Sequence, residues 1–557
     1  MTKKINRRDF IKTSTVIGLG ALAGCSLRNR FDLLIKNGLV IDGSSAKAFA
    51  ADLGIKQNRI TAIGKFGDAS ADRIIDARGQ IVSPGFIDIH THTDTELLVN
   101  PRAESKIHQG VTTEVSGNCG YSPFPLNEND SRELSDNLKD RYGIDAHWQT
   151  ADEFLTAVEK ARPSLNYATF TGHGDLRAFV IGKNDVQPIS EQLKTMQKVL
   201  AETMDAGSFG LSTGLEYAPG SYAKTPEIIE LCKLVREYNG IYATHMRNED
   251  DTVEEAIEEA LKICRQSGVS LEISHLKACN KSNWYKVDHM LEMIHNAHDK
   301  GLPVHADRYP YNAWSTGLTS FLPLWSRQGD TDDVLKRLQN PDDQKKIKLY
   351  TESRGRRIGG WDKVVISNVR TKNSEKYEGK SILECTEITG KEPFDFIRDL
   401  LIAERNRVSV IGFAMDENNL KKVLASPLVT IGSDGSAVAP YGKLSKSKPH
   451  PRFYGTFPRV LGKYAREEKI FDMVTAVKKM TAMPADKLGL KQRGYLKENY
   501  FADIVIFNPE TVIDNATFTN PHRYPTGIEH VIINGKLTIE YGRHTDTFAG
   551  KVLRHSD

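Results

Sequence analysis

Short apolar runs that end in histidine, cysteine or aspartate recur through the middle of this chain: GFIDIHTHTD, EVSGNCGYSP, YATHMRNE, EISHLKA and VTIGSDGS. Amphipathic helical stretches separate them, EEAIEEALKICRQSG, which ends at Gly268, being representative. Strands alternating with helices predict a parallel sheet closed by crossover helices. The strand candidates are GFIDIH, TTEVSGN, NYATFTG, FGLSTG, IYATHM, LEISHL, PVHADRY and LVTIGSD, enough for an α/β fold of the (β/α)8 TIM-like barrel type. Such a barrel gathers the residues at its strand ends around one mouth. A ninth strand-like run, RVSVIGFAMDE, is either a barrel strand or an addition to it.

The barrel is expected over residues 84–484, with 317–405 inserted into it. That segment is polar and charge-rich, lacks barrel periodicity and lies between two strand ends, which makes it a candidate lid. Residues 31–83 read as short strands with turn punctuation, in FDLLIKNGLVIDG, ADLGIKQNRITAIG and RIIDARGQIVSPG. The same texture returns within 485–557 in FADIVIFNPETVI and IEHVIINGKLTIEYG. The two ends are therefore expected to pair as one small β-sandwich domain.

At 557 residues the chain exceeds one ordinary core. Its formal charge is only +3, without a long run of one sign, which argues against a nucleic-acid surface and for a small-molecule partner. Residues 1–25 differ in kind: Arg7 and Arg8 in NRRDFIK, then TSTVIGLGALAG, then Cys25. This reads as a twin-arginine export signal whose LAGC resembles a lipoprotein processing box. The expectation is an exported protein of the periplasm or cell envelope, attached to the membrane through a lipidated Cys25. Ser26, by resemblance to bacterial lipoproteins, points to the outer membrane. The alternative is an uncleaved anchoring helix, for which the apolar run is short. The other cysteines, Cys119, Cys232, Cys264, Cys279 and Cys385, are odd in number and without paired spacing, so a disulfide framework is a poor explanation. No feature specifies an oligomeric state.

In HTH, residues i and i+2 of an extended chain face one side, so His90 and His92 can both address the barrel axis. Single histidines in apolar runs are often hydrogen-bonded core residues, and the pair at strand spacing favours metal ligation. Cys119, between glycines in GNCG, is by itself as consistent with a core thiol as with a ligand. His245 and His275 each follow an apolar run, and one Cys with two His supplies the soft, nitrogen-rich shell that zinc prefers. Cys279, four residues after His275, competes for the thiolate role from beyond the strand end. Asp434 in IGSDGS is either an Asp-Gly turn or a general base beside metal-activated water. The constellation reads as a zinc hydrolase, with a non-catalytic binding lipoprotein as the alternative from another class.

From about residue 31 to the C-terminus, SPGFIDIHTHTD, QGVTTEVSGNCG, ATHMRNE, ISHLK, IGSDG and HPRFYGTFPRVL resemble the D-aminoacylase (N-acyl-D-amino-acid deacylase) family of the amidohydrolase superfamily. The resemblance implies zinc-dependent hydrolysis of N-acyl-D-amino acids, with a dipeptidase acting on peptides that end in a D-residue as the neighbouring reading. It implies that Cys119, His245 and His275 hold the tight zinc, the cysteine replacing a carboxylated lysine. His90 and His92 would serve a weak second site, and Asp434 would be the catalytic aspartate. It further implies that Lys277, Tyr309 and Arg452, with Ser315 in AWST, hold the substrate carboxylate, for which cationic and phenolic donors are suited.

Overall fold

The computed structural model describes residues 30–44 and 47–556. The expected export segment, with Arg7, Arg8, Cys25 and Ser26, lies outside the described residues, among which no helix is long and apolar enough to cross a membrane.

Five strands open the chain: β1 (Arg30–Val40), β2 (Phe49–Lys56), β3 (Arg59–Gly64), β4 (Ser70–Asp76) and β5 (Ile81–Pro84). The barrel strands follow as β6 (Phe86–Asp88), β7 (Val111–Ser116), β8 (Asn166–Thr169), β9 (Thr171–Gly172), β10 (Gly210–Gly214), β11 (Ile241–His245), β12 (Ser270–Ile273) and β13 (Val304–Arg308). After β14 (Trp314–Gly317), β15 (Val364–Asn368) and β16 (Ser409–Gly412), the barrel resumes with β17 (Val429–Ile431). The chain closes on β18 (Ile504–Phe507), β19 (Ile528–Ile533), β20 (Lys536–Glu540) and β21 (Arg543–His544).

All pairings from β6 to β8, and from β9 through β13 to β17, are parallel. β8 and β9 form one physical strand interrupted at Phe170, whose N–H still donates to the Ser116 carbonyl at 2.9 Å. The ring closes where Thr91 bridges Gly435 and the Asp434 N–H donates to the His90 carbonyl at 2.8 Å. Strands covered on both faces read as continuous apolar runs, and every residue of β7 and β11 is buried. The helix Val253–Ser267 turns Val253, Ala256, Ile257, Ala260, Leu261 and Cys264 inward, one helical stripe, and ends at Gly268 with φ +73°.

The run RVSVIGFAMDE is not a barrel strand. It supplies β16, the centre of an antiparallel sheet ordered β14-β16-β15. Helices Thr331–Gln339, Pro341–Ile358, Ile382–Thr389 and Pro393–Ala403 pack with this sheet around an apolar centre of its own, including Phe321, Leu338, Ile347, Ile366, Ile397 and Val410. The inserted unit thus begins its sheet at Trp314 and ends it at Gly412.

Both chain ends share one nine-stranded sheet, ordered β3-β2-β1-β5-β18-β19-β20-β21, with β4 beside β1. The join is β5 antiparallel to β18, Ile81 opposite Phe507 and Pro84 opposite Ile504. The sheet wraps around Leu33, Ile55, Ile75, Val82, Ile504 and Ile532.

Candidate metal centre

Five strand ends deliver one cluster. His90 and His92 leave β6 in extended chain; His90 Nε2 lies 3.4 Å from Cys119 Sγ and 3.6 Å from Asp434 Oδ1, and His92 Nε2 lies 3.1 Å from that same oxygen. Cys119 follows β7 through Gly117 and Asn118, with φ +54° at the cysteine itself. His275, just past β12 and also left-handed at φ +38°, places Nε2 3.4 Å from Cys119 Sγ and 3.0 Å from Nδ1 of His245, which ends β11. His90, Cys119, His275 and Asp434 each offer an atom within 4.8 Å of the others, and His245, Glu249 and His275 form a second, overlapping group. His90, His245, His275, Glu249 and Asp434 are buried, and His92 is half-buried.

In His90, His275 and His245 the inward nitrogen is matched by a second nitrogen held by a carboxylate. His90 Nδ1 meets Asp307 Oδ2 at 3.0 Å, His275 Nδ1 meets Glu249 Oε1 at 2.9 Å, and His245 Nε2 meets Glu216 Oε2 at 3.3 Å. Proton donation outward leaves the lone pairs pointing inward, the arrangement of metal-ligating imidazoles. Asp307 does more, since its Oδ1 accepts the His275 N–H at 2.9 Å and so braces the left-handed turn that carries that histidine.

Burial opposes ionisation of the Cys119 thiol, but the charges of His90 and His275 and hydrogen bonds from His245 and His275 outweigh it and hold its pKa well below the usual value. Burial likewise opposes ionisation of Asp434, and Arg452, with Nη1 2.9 Å from Oδ2, together with His92 reverses this and holds the carboxyl well below its ordinary range. A thiolate and converging imidazole lone pairs are the donor set of zinc, so these residues fit that ion. Cys279 is buried in the same cavity, belongs to neither ligand group, and has its thiol pKa pushed up by burial.

The cluster floors a cavity of about 470 Å³ whose walls include Tyr309, Ser315, Lys277 and Arg452. The Arg452 guanidinium stacks on the Tyr309 ring, 4.6 Å from its centroid. Among the described residues, Arg452 Nε and the Tyr309 hydroxyl are buried without a hydrogen-bond partner. Ser315 is half-buried on β14. Lys277 is differently engaged: its ammonium lies 2.5 Å from Glu249 Oε1 and donates to the His275 carbonyl at 3.2 Å. His450 fixes the Arg452 turn, accepting the Arg452 N–H at Nδ1 (3.0 Å) while Nε2 donates to the Ala313 carbonyl (2.9 Å); burial first, then the Arg452 charge, holds it neutral.

Sequence reasoning did not single out Glu216, Glu249, Asp307 or the inserted unit's Arg354. Asp307 sits two residues before Tyr309 in ADRYPY, on β13, and alternation would have turned it inward; Glu216 and Glu249 lie in EYAPG and MRNED, where nothing separates them from solvated carboxylates.

The amidohydrolase family profile matches residues 73–340 and 392–539. A D-aminoacylase of Alcaligenes xylosoxydans xylosoxydans is 37% identical over 523 residues, covering 94% of this chain and 97% of that protein. An N-acyl-D-glutamate deacylase of the same organism is 34% identical over 511 residues, covering 91% and 94%. Among solved structures, N-acyl-D-glutamate deacylase from Bordetella bronchiseptica, complexed with zinc and a phosphonate mimic of the tetrahedral intermediate, superposes with TM-score 0.78 at 33% identity, covering 94% of this chain and 100% of that one. A D-aminoacylase whose binuclear metal centre shows one-metal activation and second-metal attenuation gives TM-score 0.79 at 35% identity with the same coverage.

Proposed function

The chain belongs to the amidohydrolase family, and within it to the D-aminoacylases, and from that premise we propose that it hydrolyses the amide bond of N-acyl-D-amino acids to a carboxylate and a free D-amino acid, with zinc as its metal. Cys119, His245 and His275 would hold the tight ion, and His90 and His92 a weaker second one that shares the cysteine. The ion supplies water that is nucleophilic at neutral pH and a Lewis acid for the amide carbonyl.

The remaining work falls to side chains. Asp434, kept ionised by Arg452, takes a proton from the attacking water at Oδ1, the oxygen facing the histidines, and returns it to the leaving nitrogen. Arg452 Nε and the Tyr309 hydroxyl, buried donors without internal partners, orient the substrate carboxylate, with Ser315 beside them. Lys277 adds positive charge at that wall while neutralising Glu249. The observation that carries the reading is Asp434 standing between the ligand cluster on one oxygen and an arginine on the other.

The test is amine release by zinc-loaded protein lacking residues 1–25, across paired N-acetyl-D and N-acetyl-L amino acids and dipeptides ending in D-residues, with Asp434→Asn as control. Release from D-acetyl compounds that the control abolishes is the expected result. Release from peptides alone would move the enzyme to D-specific dipeptide cleavage, and silence with zinc bound would favour a binding lipoprotein.

Export and lipid anchoring through Cys25 rest on the sequence of residues 1–25. Labelled palmitate should enter the wild-type chain in a bacterial host and not Cys25→Ser; equal labelling would overturn the assignment.

A further inference from the structure

One side chain of the inserted unit continues through a carboxylate to the metal centre. Arg354, on the helix Pro341–Ile358, places Nη1 2.7 Å from Asp250 Oδ2 and Nη2 3.4 Å from Glu216 Oε1. The other oxygen of Glu216, Oε2, is the one that meets His245 Nε2 at 3.3 Å. A second arginine of the same unit, Arg327, donates to the Glu216 backbone carbonyl at 3.2 Å. Glu216 is thus gripped at backbone and side chain by the insertion, while its free oxygen is the acceptor that directs the His245 ring. Arg357, one turn on, pairs with Asp251 at 2.8 Å and lies 3.9 Å from Asp250, and none of the ion pairs or hydrogen bonds among the described residues joins it to Glu216. Several arginines thus tie the insertion to the barrel, and Arg354 is the one whose guanidinium meets a carboxylate that continues to a ligand.

A carboxylate that orients a ligating imidazole does so only while its own rotamer is fixed. Glu216 follows β10 in a loop, its side chain is 23% exposed, and apart from His245 its only ion-pair partner among the described residues is Arg354. Without the guanidinium it is free to swing into the cavity, and His245 loses the nearer of the two carboxylates at Nε2, Glu249 Oε2 standing farther off at 3.8 Å.

We infer that Arg354 is a positioning residue of the metal centre: by fixing Glu216 it fixes His245, so docking of the inserted unit and retention of the metal are coupled. The inference rests on His245 as a metal ligand and not on the identity of the substrate.

The experiment measures metal loss to a chromogenic chelator from the zinc-loaded protein, and the visible spectrum of the cobalt-substituted form, for wild type, Arg354→Met, Arg354→Lys, Arg357→Met and Glu216→Gln. Arg354→Met is expected to weaken metal retention by about 10- to 100-fold and to alter the cobalt bands, the size typical of losing an orienting partner. Arg354→Lys should recover part of the loss, Arg357→Met should match wild type, and Glu216→Gln should reproduce Arg354→Met, with the double variant no worse than either. Wild-type retention and spectrum in folded Arg354→Met, or an equal loss in Arg357→Met, overturns the inference. Should Arg354→Met fail to fold, wild-type retention in both Arg354→Lys and Glu216→Gln overturns it equally. Because these readouts need no substrate, a failed deacylase assay leaves the result standing, and the reverse also holds.

Discussion

A metal-ligating histidine almost always has its other nitrogen committed, and that commitment separates what the sequence shows here from what it hides. His90, His92, Cys119, His245, His275 and Asp434 were legible because strand ends in a parallel barrel converge. Their orienting acids were not, because Glu216 and Glu249 sit in loops where a carboxylate is usually solvated, and only folding brings them to the rings. Asp434→Asn keeps the shape but removes the proton acceptor, so kcat should fall by about 10²- to 10⁴-fold with zinc content unchanged. Metal analysis beside kinetics checks this, and joint loss of metal and rate would recast Asp434 as a ligand first. The two thiols of the cavity are separable in the same way. Cys119→Ala should lose zinc to a chelator by more than the roughly 100-fold that an orienting partner is worth, and Cys279→Ala should retain it. The opposite ranking would transfer the thiolate role to Cys279.

At the scale of elements, the GNCG turn shows why the sequence is so constrained beside the proposed ligand Cys119. Gly117 has φ +71°, and an added Cβ would stand 2.2 Å from the Phe170 carbonyl oxygen; Gly120 has φ +77°, and its Cβ would stand 2.4 Å from the Gly214 nitrogen. Neither neighbour can yield, since both are backbone of adjoining barrel strands. Gly117→Ala and Gly120→Ala should each cost about 1–3 kcal/mol and displace Cys119, read as a lower unfolding temperature together with weaker zinc retention. Unchanged retention at a lowered unfolding temperature would mean the turn is structural only. Strand alternation found the elements but not their sheets. RVSVIGFAMDE has the apolar content of a barrel strand, yet its partners are β14 and β15, and pairing is decided by contacts distant in sequence. The helices of the insertion escaped notice for a related reason: they pack on their own small core, so they never follow the barrel's rhythm.

At the scale of the whole molecule, the pairing of the two chain ends was legible as a shared strand texture, whereas the polar joints that tie this sheet and the chain end to the barrel were not. One such joint is a single buried acid. Glu104, in the short helix Glu104–Ile107, accepts from Arg102 Nε at 2.8 Å and the Tyr441 hydroxyl at 2.6 Å through Oε1, and from His108 Nε2 and the Tyr524 hydroxyl at 2.9 Å through Oε2. Tyr441 belongs to the chain after β17 and Tyr524 to the C-terminal segment, so one carboxylate connects three distant stretches. Burial opposes its ionisation, but the hydrogen bonds from His108 and Tyr441, the His108 charge and the Tyr524 hydroxyl prevail and hold its pKa far below the ordinary 4.5. A carboxyl depressed in the folded state stabilises fully above its unfolded pKa and loses that contribution as pH falls through the range beneath it. Glu104→Gln preserves shape without the charge. The unfolding-temperature gap between wild type and this variant should therefore be constant above about pH 5.5 and narrow steadily toward about pH 3.5. A gap that stays level across that range would show that the tyrosines and His108 hold a neutral side chain equally well, and the charge of Glu104 would then have no part in joining the chain end to the barrel.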